Sequence, residues 1–196
     1  MAKRARRNLD RGSRRAGKGR IPLTPREILQ LDAALVQAFR TIQRLRKQND
    51  AAKHIQFPPL PSIFSESIVI ASSERLFGPG WSAMSGGMEC DVRLANADGD
   101  QKRVEVKATG EHAFQEFKSK DLRADILVWI RFGRRFQEGR GPIEIVLLAQ
   151  PGRFVKTPCR LDAVRFERLV GSTGSLKVLT FGSLEKLLVG NPAAQR

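Results

Sequence analysis

Apolar and polar residues alternate along two segments that flank a polar turn at positions 96–100. The alternating apolar residues are Met88, Cys90, Val92 and Leu94 before the turn, and Val104, Val106 and Ala108 after it. A period of two is typical of β-strands, so the pattern predicts a hairpin over 86–109. If 96–100 is the loop, Ala95 pairs with Gln101, and Asp91 then faces Glu105 on a strand face that also carries Lys107. A shorter loop with an even number of residues would turn Asp91 to the other face unless a bulge corrected the register.

Apolar residues spaced by three and four predict a helix near the N-terminus. The sequence Thr24-Pro25-Arg26-Glu27 forms a capping box with proline at the first helical position, and the periodic pattern extends it over 24–48. Its basic end is expected in solvent, and its apolar face on the core or on a second copy of the chain. These basic residues are Arg40, Arg44, Arg46 and Lys47.

A second helix is expected after the proline-rich linker at 51–61, from an N-cap at Ser62 to about Leu76. Glu66 lies within its largely apolar middle. Because a buried carboxylate needs a partner, two roles are open. Glu66 either complements the helix dipole in the first turn or points toward the same site as Asp91.

The remaining chain predicts further elements in the order required for a sheet covered by helices. Residues 82–87 are expected to form a flexible approach to the hairpin, and 110–123 a short helix or a helix and loop. Continuous apolar runs at 125–130 and 143–149 predict strands buried on both faces. A helix near 161–169, a strand at 176–181 and a short helix at 183–189 follow. The predicted organisation is a basic arm (1–20), an N-terminal helix (21–50), the linker, an α/β core (62–190) and a C-terminal tail (191–196).

Charge narrows the choice of partner. The 196 residues include 35 Lys and Arg against 20 Asp and Glu, which gives a net charge of +15. Such a balance favours nucleic acid first and an anionic membrane second. No apolar run reaches the length of a membrane span, so no membrane partner is expected. The absence of a secretory signal and the presence of only two cysteines fit a reducing, cytoplasmic location.

The N-terminal 20 residues are strongly basic and nearly devoid of apolar side chains. They are expected to be disordered and to contact phosphates without reading sequence. A solubilising tail or a localisation signal is the alternative. The arginines of this arm expected on nucleic acid are Arg4, Arg6, Arg7, Arg14 and Arg15.

The sequence offers little support for a histidine- or cysteine-bound metal site or for an ATP-driven activity. His54 and His112 lie far apart, and Cys90 and Cys159 are too few for a cysteine-rich zinc site, so a metal would be held by oxygen ligands. The chain has no Walker A motif, which argues against ATP-driven translocation.

The helix carrying Glu66 is followed by three motifs, L-F-G-P-G-W-S, M-E-C-D-V and V-E-V-K-A-T, within residues 62–130. This order resembles the PD-(D/E)XK nuclease superfamily, although Cys90 replaces the proline of the motif. The resemblance implies an α/β, restriction-endonuclease-like fold with a mixed central β-sheet flanked by helices. It implies that Asp91, Glu105 and Glu66 bind Mg²⁺, for which Mn²⁺ can substitute, and that Lys107 is the catalytic lysine.

The expected function is a Mg²⁺-dependent DNA endonuclease, of a restriction or defence type that cuts both strands. Lys118, Lys120 and Arg123 are expected on phosphates, while Arg134, Arg135, Arg140, Arg153 and Arg160 are unranked candidates for base readout. Double-strand cleavage would require a homodimer, formed through the 24–48 helix or the C-terminal region. Two alternatives stay open: a non-catalytic nucleic-acid-binding protein with a charged surface ladder, and a structure-selective nuclease similar to Holliday-junction resolvases.

Overall fold

The computed structural model describes residues 20–110, 115–171 and 175–189. The predicted basic arm up to residue 19, with its five candidate arginines, lies outside the described residues, as does the predicted C-terminal tail. The strands are β1 (Ser82–Ser85), β2 (Val92–Ala95), β3 (Gln101–Thr109), β4 (Gln115–Phe117), β5 (Ile126–Arg131), β6 (Ile143–Ala149), β7 (Cys159–Leu161) and β8 (Leu176–Phe181). The helices are α1 (Pro25–Gln48), α2 (Ser62–Ala71), α3 (Ser73–Phe77), α4 (Ser119–Leu122), α5 (Arg135–Glu138), α6 (Ala163–Val170) and α7 (Leu184–Val189), with 3₁₀ turns at Asp50–His54 and Pro151–Arg153.

The fold is α/β, with a mixed central sheet and flanking helices, as predicted, and the sheet has six strands. The strand order is β1-β2-β3-β5-β6-β8, and β4 and β7 form a separate two-stranded sheet. Within the large sheet β3 and β5 run parallel, and the other neighbouring pairs are antiparallel.

The predicted hairpin register is confirmed by the pairing of Ala95 with Gln101 and of Val92 with Val104. The turn is closed by Asn96, whose Oδ1 accepts a 2.8 Å hydrogen bond from the N–H of Asp100. Gly99 adopts φ 88° there, a conformation that residues with a Cβ rarely take.

The first arm of the hairpin is shorter than predicted, because the chain bends between Gly86 and Asp91. The N–H of Gly86 donates to the carbonyl of Asp91 at 3.1 Å, and Met88 at the bend is 96% exposed. A Cβ on Gly86 would lie 2.4 Å from the carbonyl oxygen of Cys90, so this bend requires glycine. Residues 82–85, expected to be flexible, instead form the edge strand β1, because the outer edge of β2 is open to pairing.

The N-terminal helix begins with the predicted capping box. The Oγ1 of Thr24 accepts from the N–H of Glu27 at 3.3 Å, and Glu27 Oε2 accepts from the N–H of Thr24 at 2.8 Å. Ile28, Leu35 and Phe39 on one face of α1 join the main core. The apolar face is therefore covered by the same chain.

The predicted helix at 62–76 is divided into α2 and α3, a correction to the sequence reading. Ser72 leaves helical geometry (φ −112°, ψ 15°), and Ser62 lies inside α2 after an N-cap at Pro61. Similarly, the described part of 110–123 contains β4 as well as the short helix α4. Pairing of β4 with β7, 42 or more residues later, is a tertiary interaction that local periodicity does not reveal.

The strands β5 and β6 are buried on both faces, as their continuous apolar runs predict. Val128 and Ile130 of β5 enter the core beneath α1, α2 and α7, whereas Leu127 and Trp129 enter a second core beneath α6. The second core also contains Phe117 from β4. The sheet thus separates two apolar layers.

Candidate functional site

The end of the hairpin brings Asp91 and Glu105 together. Asp91 directly precedes β2, and extending the β2–β3 register by one residue sets it opposite Glu105. One carboxylate oxygen of Asp91, Oδ2, accepts the N–H of Val106 at 2.9 Å. That bond fixes the Asp91 carboxylate beside β3, next to the almost fully buried Glu105, whose exposure is 1%.

Lys120 lies between these two carboxylates. Its Nζ is 2.7 Å from Glu105 Oε2 and 3.3 Å from Asp91 Oδ1. The sequence pattern predicts Lys120 on phosphates and does not indicate this bridge. A short helix such as α4 has too few residues to show which side chain faces inward, so the sequence offered no directional signal.

Glu66, on α2, lies near Asp91 and Lys120. It lies in the second turn of the helix and is 8% exposed, so of the two roles considered, the one in the first turn does not apply. Glu66, Asp91 and Lys120 line one cleft of about 490 Å³. Arg20 lines it too, with its NH1 donating to Ser62 Oγ at 2.9 Å and lying 4.0 Å from Glu66 Oε1.

The protonation of these carboxyl groups reflects burial and crowding. Burial raises the pKa of Glu105 to about 7; the hydrogen bond from Lys120 opposes this shift, and the charge of Asp91 reinforces it. Burial, followed by the charge of Asp91, also raises the pKa of Glu66. For Lys120, burial lowers the pKa, but Glu105 and Asp91 outweigh it and raise the pKa overall. Two carboxyl groups thus share the ammonium of Lys120, and the third, Glu66, has the guanidinium of Arg20 nearby.

Lys107 lies on the Glu105 face of β3, but its ammonium pairs with a different acid. Lys107 Nζ is 2.9 Å from Oδ1 of Asp121, a residue with 0% exposure. The other oxygen of Asp121 accepts the N–H of Lys118 at 2.7 Å. Lys107 therefore ties β3 to the first turn of α4, and the buried Asp121 is a second residue whose role the sequence pattern does not indicate.

The other predicted phosphate ligands lie on the nearby surface. Arg123 lines a second cleft of about 380 Å³ together with Glu105 and Lys120. The Lys118 side chain is 63% exposed, with its Nζ 4.0 Å from Glu116. Arg135, a base-readout candidate, is instead 6% exposed and bonded to Asp32 through two contacts of 3.0 and 2.5 Å. That assignment is wrong, because a buried, paired guanidinium cannot reach a base.

The donor set fits a hard divalent cation such as Mg²⁺, which prefers oxygen ligands. In this structure, no three histidine, cysteine or carboxylate side chains of the described residues are close enough together to hold a metal ion. The cation between Asp91 and Glu105 is the ammonium of Lys120, which shows that the pair accepts positive charge at that point. Asp91 and Glu105 would hold the metal, with Glu66 across the cleft, once Lys120 had moved.

Larger cavities lie elsewhere, but they do not gather these acids. One of about 750 Å³ lies near Thr109 and Arg131, and another of about 910 Å³ lies between α1 and α5. Comparisons of the chain with protein-family models, curated proteins and solved structures found no match. No helix in the described part of the chain is long and apolar enough to cross a membrane.

Proposed function

We propose that this protein is a Mg²⁺-dependent DNA endonuclease of the PD-(D/E)XK type. The observation that carries the proposal is the convergence of Asp91 and Glu105 at the end of the β2–β3 ladder. Glu66 lines the same cleft as Asp91, which supplies a third carboxylate from a separate element. The element order α2-α3-β1-β2-β3-β4-α4-β5 supports a restriction-endonuclease-like fold.

The metal would be bound by Asp91, Glu105 and Glu66. A backbone N–H fixes the orientation of the Asp91 carboxylate. The N–H of Val106 holds one oxygen of Asp91, and the other, Oδ1, lies 3.3 Å from the ammonium of Lys120. When bound, Mg²⁺ would neutralise negative charge on a phosphodiester and lower the pKa of water. The burial of Glu105 limits access of bulk water to this part of the site.

Basic side chains would bind the phosphate of the substrate. The ammonium of Lys120 is close enough to the carboxylates to reach a phosphate oxygen beside them, where it would stabilise charge that develops in the transition state. Lys118 and Arg123 lie on the surface around the site and would hold neighbouring phosphates. Lys107 would act mainly by holding α4, unless substrate binding breaks its pair with Asp121.

The test is cleavage of supercoiled and linear DNA with Mg²⁺ or with EDTA. We expect cleavage that EDTA abolishes, and a loss of at least about 100-fold in Asp91→Asn and Glu105→Gln, because an isosteric amide lacks the charge that binds the metal. Glu116→Gln is the matched control, since this carboxylate is 66% exposed on β4. Equal cleavage by Glu105→Gln and the wild type would reject the proposed site.

A non-catalytic nucleic-acid-binding protein is the second candidate, and the ion pairs of two lysines favour it. Lys107 and Lys120 both have carboxylate partners in this structure, as expected for a charged ladder that only stabilises the fold. This candidate predicts DNA binding without cleavage in every metal condition. A four-way junction included among the substrates distinguishes a structure-selective nuclease, which would cut it in preference to duplex DNA. Linear product formed directly from supercoiled DNA would indicate double-strand cutting.

A further inference from the structure

We infer that Lys120 is a built-in counter-ion of the candidate site: its ammonium occupies the place between Asp91 and Glu105, and a divalent cation must displace it to bind. This inference rests on the proposed function, because it takes these two carboxylates as metal ligands. It adds a regulatory property, namely that metal binding and the Lys120 contacts exclude each other.

The contacts of Lys120 define its position. Its Nζ approaches one oxygen of each carboxylate, at 2.7 Å from Glu105 and 3.3 Å from Asp91. Since Glu105 is almost fully buried, the ammonium is the nearest positive charge to a carboxylate that has lost most of its water. Removing that charge without replacing it would leave two adjacent carboxylates to repel each other.

The neighbouring residue anchors the helix that delivers Lys120. Asp121 is completely buried, with one oxygen on the N–H of Lys118 and the other on the ammonium of Lys107. Adjacent side chains of α4 thus have separate tasks: Asp121 fixes the helix to β3, and Lys120 reaches the carboxylate pair. The position of Lys120 is therefore imposed by a buried contact on the same turn.

Lys120 nevertheless has room to leave. Its side chain is 51% exposed, whereas the Glu105 side chain is 2% exposed. Rotation about the lysine side-chain bonds can thus move the ammonium toward solvent while α4 stays in place. The acids cannot separate in the same way, because the backbone of β3 holds both Glu105 and the Asp91 contact at Val106.

Displacement would also change the shape of the site. Lys120 lines both the cleft that contains Glu66 and Asp91 and the cleft that contains Glu105 and Arg123. Its side chain therefore lies at the boundary of the two. When the ammonium moves out, the three carboxylates face a common space, and the lysine remains close enough to pair with an incoming phosphate.

The inference predicts that loss of the Lys120 charge strengthens metal binding in the absence of DNA. Binding of Mn²⁺ alone to the full chain is followed by electron paramagnetic resonance of the free ion. We expect Lys120→Ala and Lys120→Gln to bind Mn²⁺ about tenfold more tightly than the wild type, equivalent to about 1.4 kcal/mol of relieved competition. Circular dichroism of each variant verifies the fold, and Lys120→Gln keeps much of the side-chain stem if the alanine variant unfolds.

Lys118→Ala is the matched control. Lys118 lies two residues before Lys120 and is exposed, so the change removes the same charge without touching the carboxylate pair. Tighter binding in the Lys120 variants alone, abolished by adding Asp91→Asn, supports the inference. Equal tightening in Lys118→Ala would assign the effect to net charge and overturn it. Unchanged affinity in folded Lys120 variants would overturn it while leaving the metal site intact. An absence of Mn²⁺ binding in both the wild type and the Lys120 variants would overturn it together with the metal requirement of the proposed function.

Discussion

Two groups of buried charged residues lie in different parts of this molecule, and they differ in how many acids contact each base. Between α1 and α5, one acid meets one base: Asp32 and Arg135 are 4% and 6% exposed and share two hydrogen bonds. At the end of the hairpin, Asp91 and Glu105 share the single ammonium of Lys120, and Glu66 lines the adjoining cleft. In the first group one carboxylate and one guanidinium bond each other twice, whereas in the second two carboxylates share one ammonium on a side chain that is 51% exposed.

This difference separates a structural ion pair from a candidate site. A buried guanidinium and carboxylate that bond each other twice have little capacity left for a ligand, and breaking the pair leaves a buried charge uncompensated. Two carboxylates that share one half-exposed ammonium retain an affinity for a further cation. The two groups should therefore respond to mutation in opposite ways, the first through stability and the second through binding.

The largest loss of stability is expected from Asp32→Ala. This change leaves the Arg135 guanidinium buried without its carboxylate, and breaking such a pair typically costs about 3–5 kcal/mol of unfolding free energy. Urea denaturation measures the difference. Asp50→Ala is the control, because Asp50 pairs with Lys53 at 2.7 Å but its side chain is 92% exposed, so about 0–1 kcal/mol is expected. Similar losses in both variants would show that burial does not distinguish the pairs.

A smaller but clear loss is expected from Lys107→Met, which tests whether this lysine belongs with the structural group. The buried Asp121 would keep its bond from the N–H of Lys118 but lose its cationic partner. We expect a loss of about 2–3 kcal/mol, since an unsatisfied buried polar or charged group carries a cost of this order. Measurement by urea denaturation in EDTA excludes any contribution of metal.

Adding Asp121→Asn provides the check on that interpretation. The amide still accepts from Lys118 but no longer carries an uncompensated charge, so the double variant should regain part of the lost stability. No recovery in the double variant, or an unchanged stability in Lys107→Met, would remove Lys107 from the structural group.

The sequence predicts the elements of this fold better than their tertiary partners. The runs at 143–149 and 176–181 coincide with β6 and β8, and the loop at 96–100 sets the hairpin register, because both signals are local. The edge strand β1 and the small β4–β7 sheet are not predicted, since their short polar sequences take their structure from the partners they pair with.

In the candidate site, too, the sequence predicts local geometry but not the tertiary contacts. The side-chain period of two on β3 predicts that Glu105 and Asp91 share a face, and the structure places them together. That period also sets Lys107 on this face, but it cannot indicate which acid the flexible lysine contacts. The bridge by Lys120 and the anchor at Asp121 depend on how α4 packs against β3, a long-range feature that a four-residue helix does not encode in its pattern.

The smallest change in stability is expected from Glu105→Gln, even though Glu105 is about as buried as the Asp32–Arg135 pair. The substitution removes a desolvated charge and its repulsion with Asp91, while Lys120 keeps Asp91 at 3.3 Å and stays half exposed to water. These gains offset the lost contact with Lys120, so the unfolding free energy in EDTA should change by about 1 kcal/mol or less, in either direction. Urea denaturation beside Asp32→Ala makes the comparison direct. A loss as large as that of Asp32→Ala would mean that Glu105 and Lys120 form a structural ion pair, which would contradict a role of Glu105 in binding a cation.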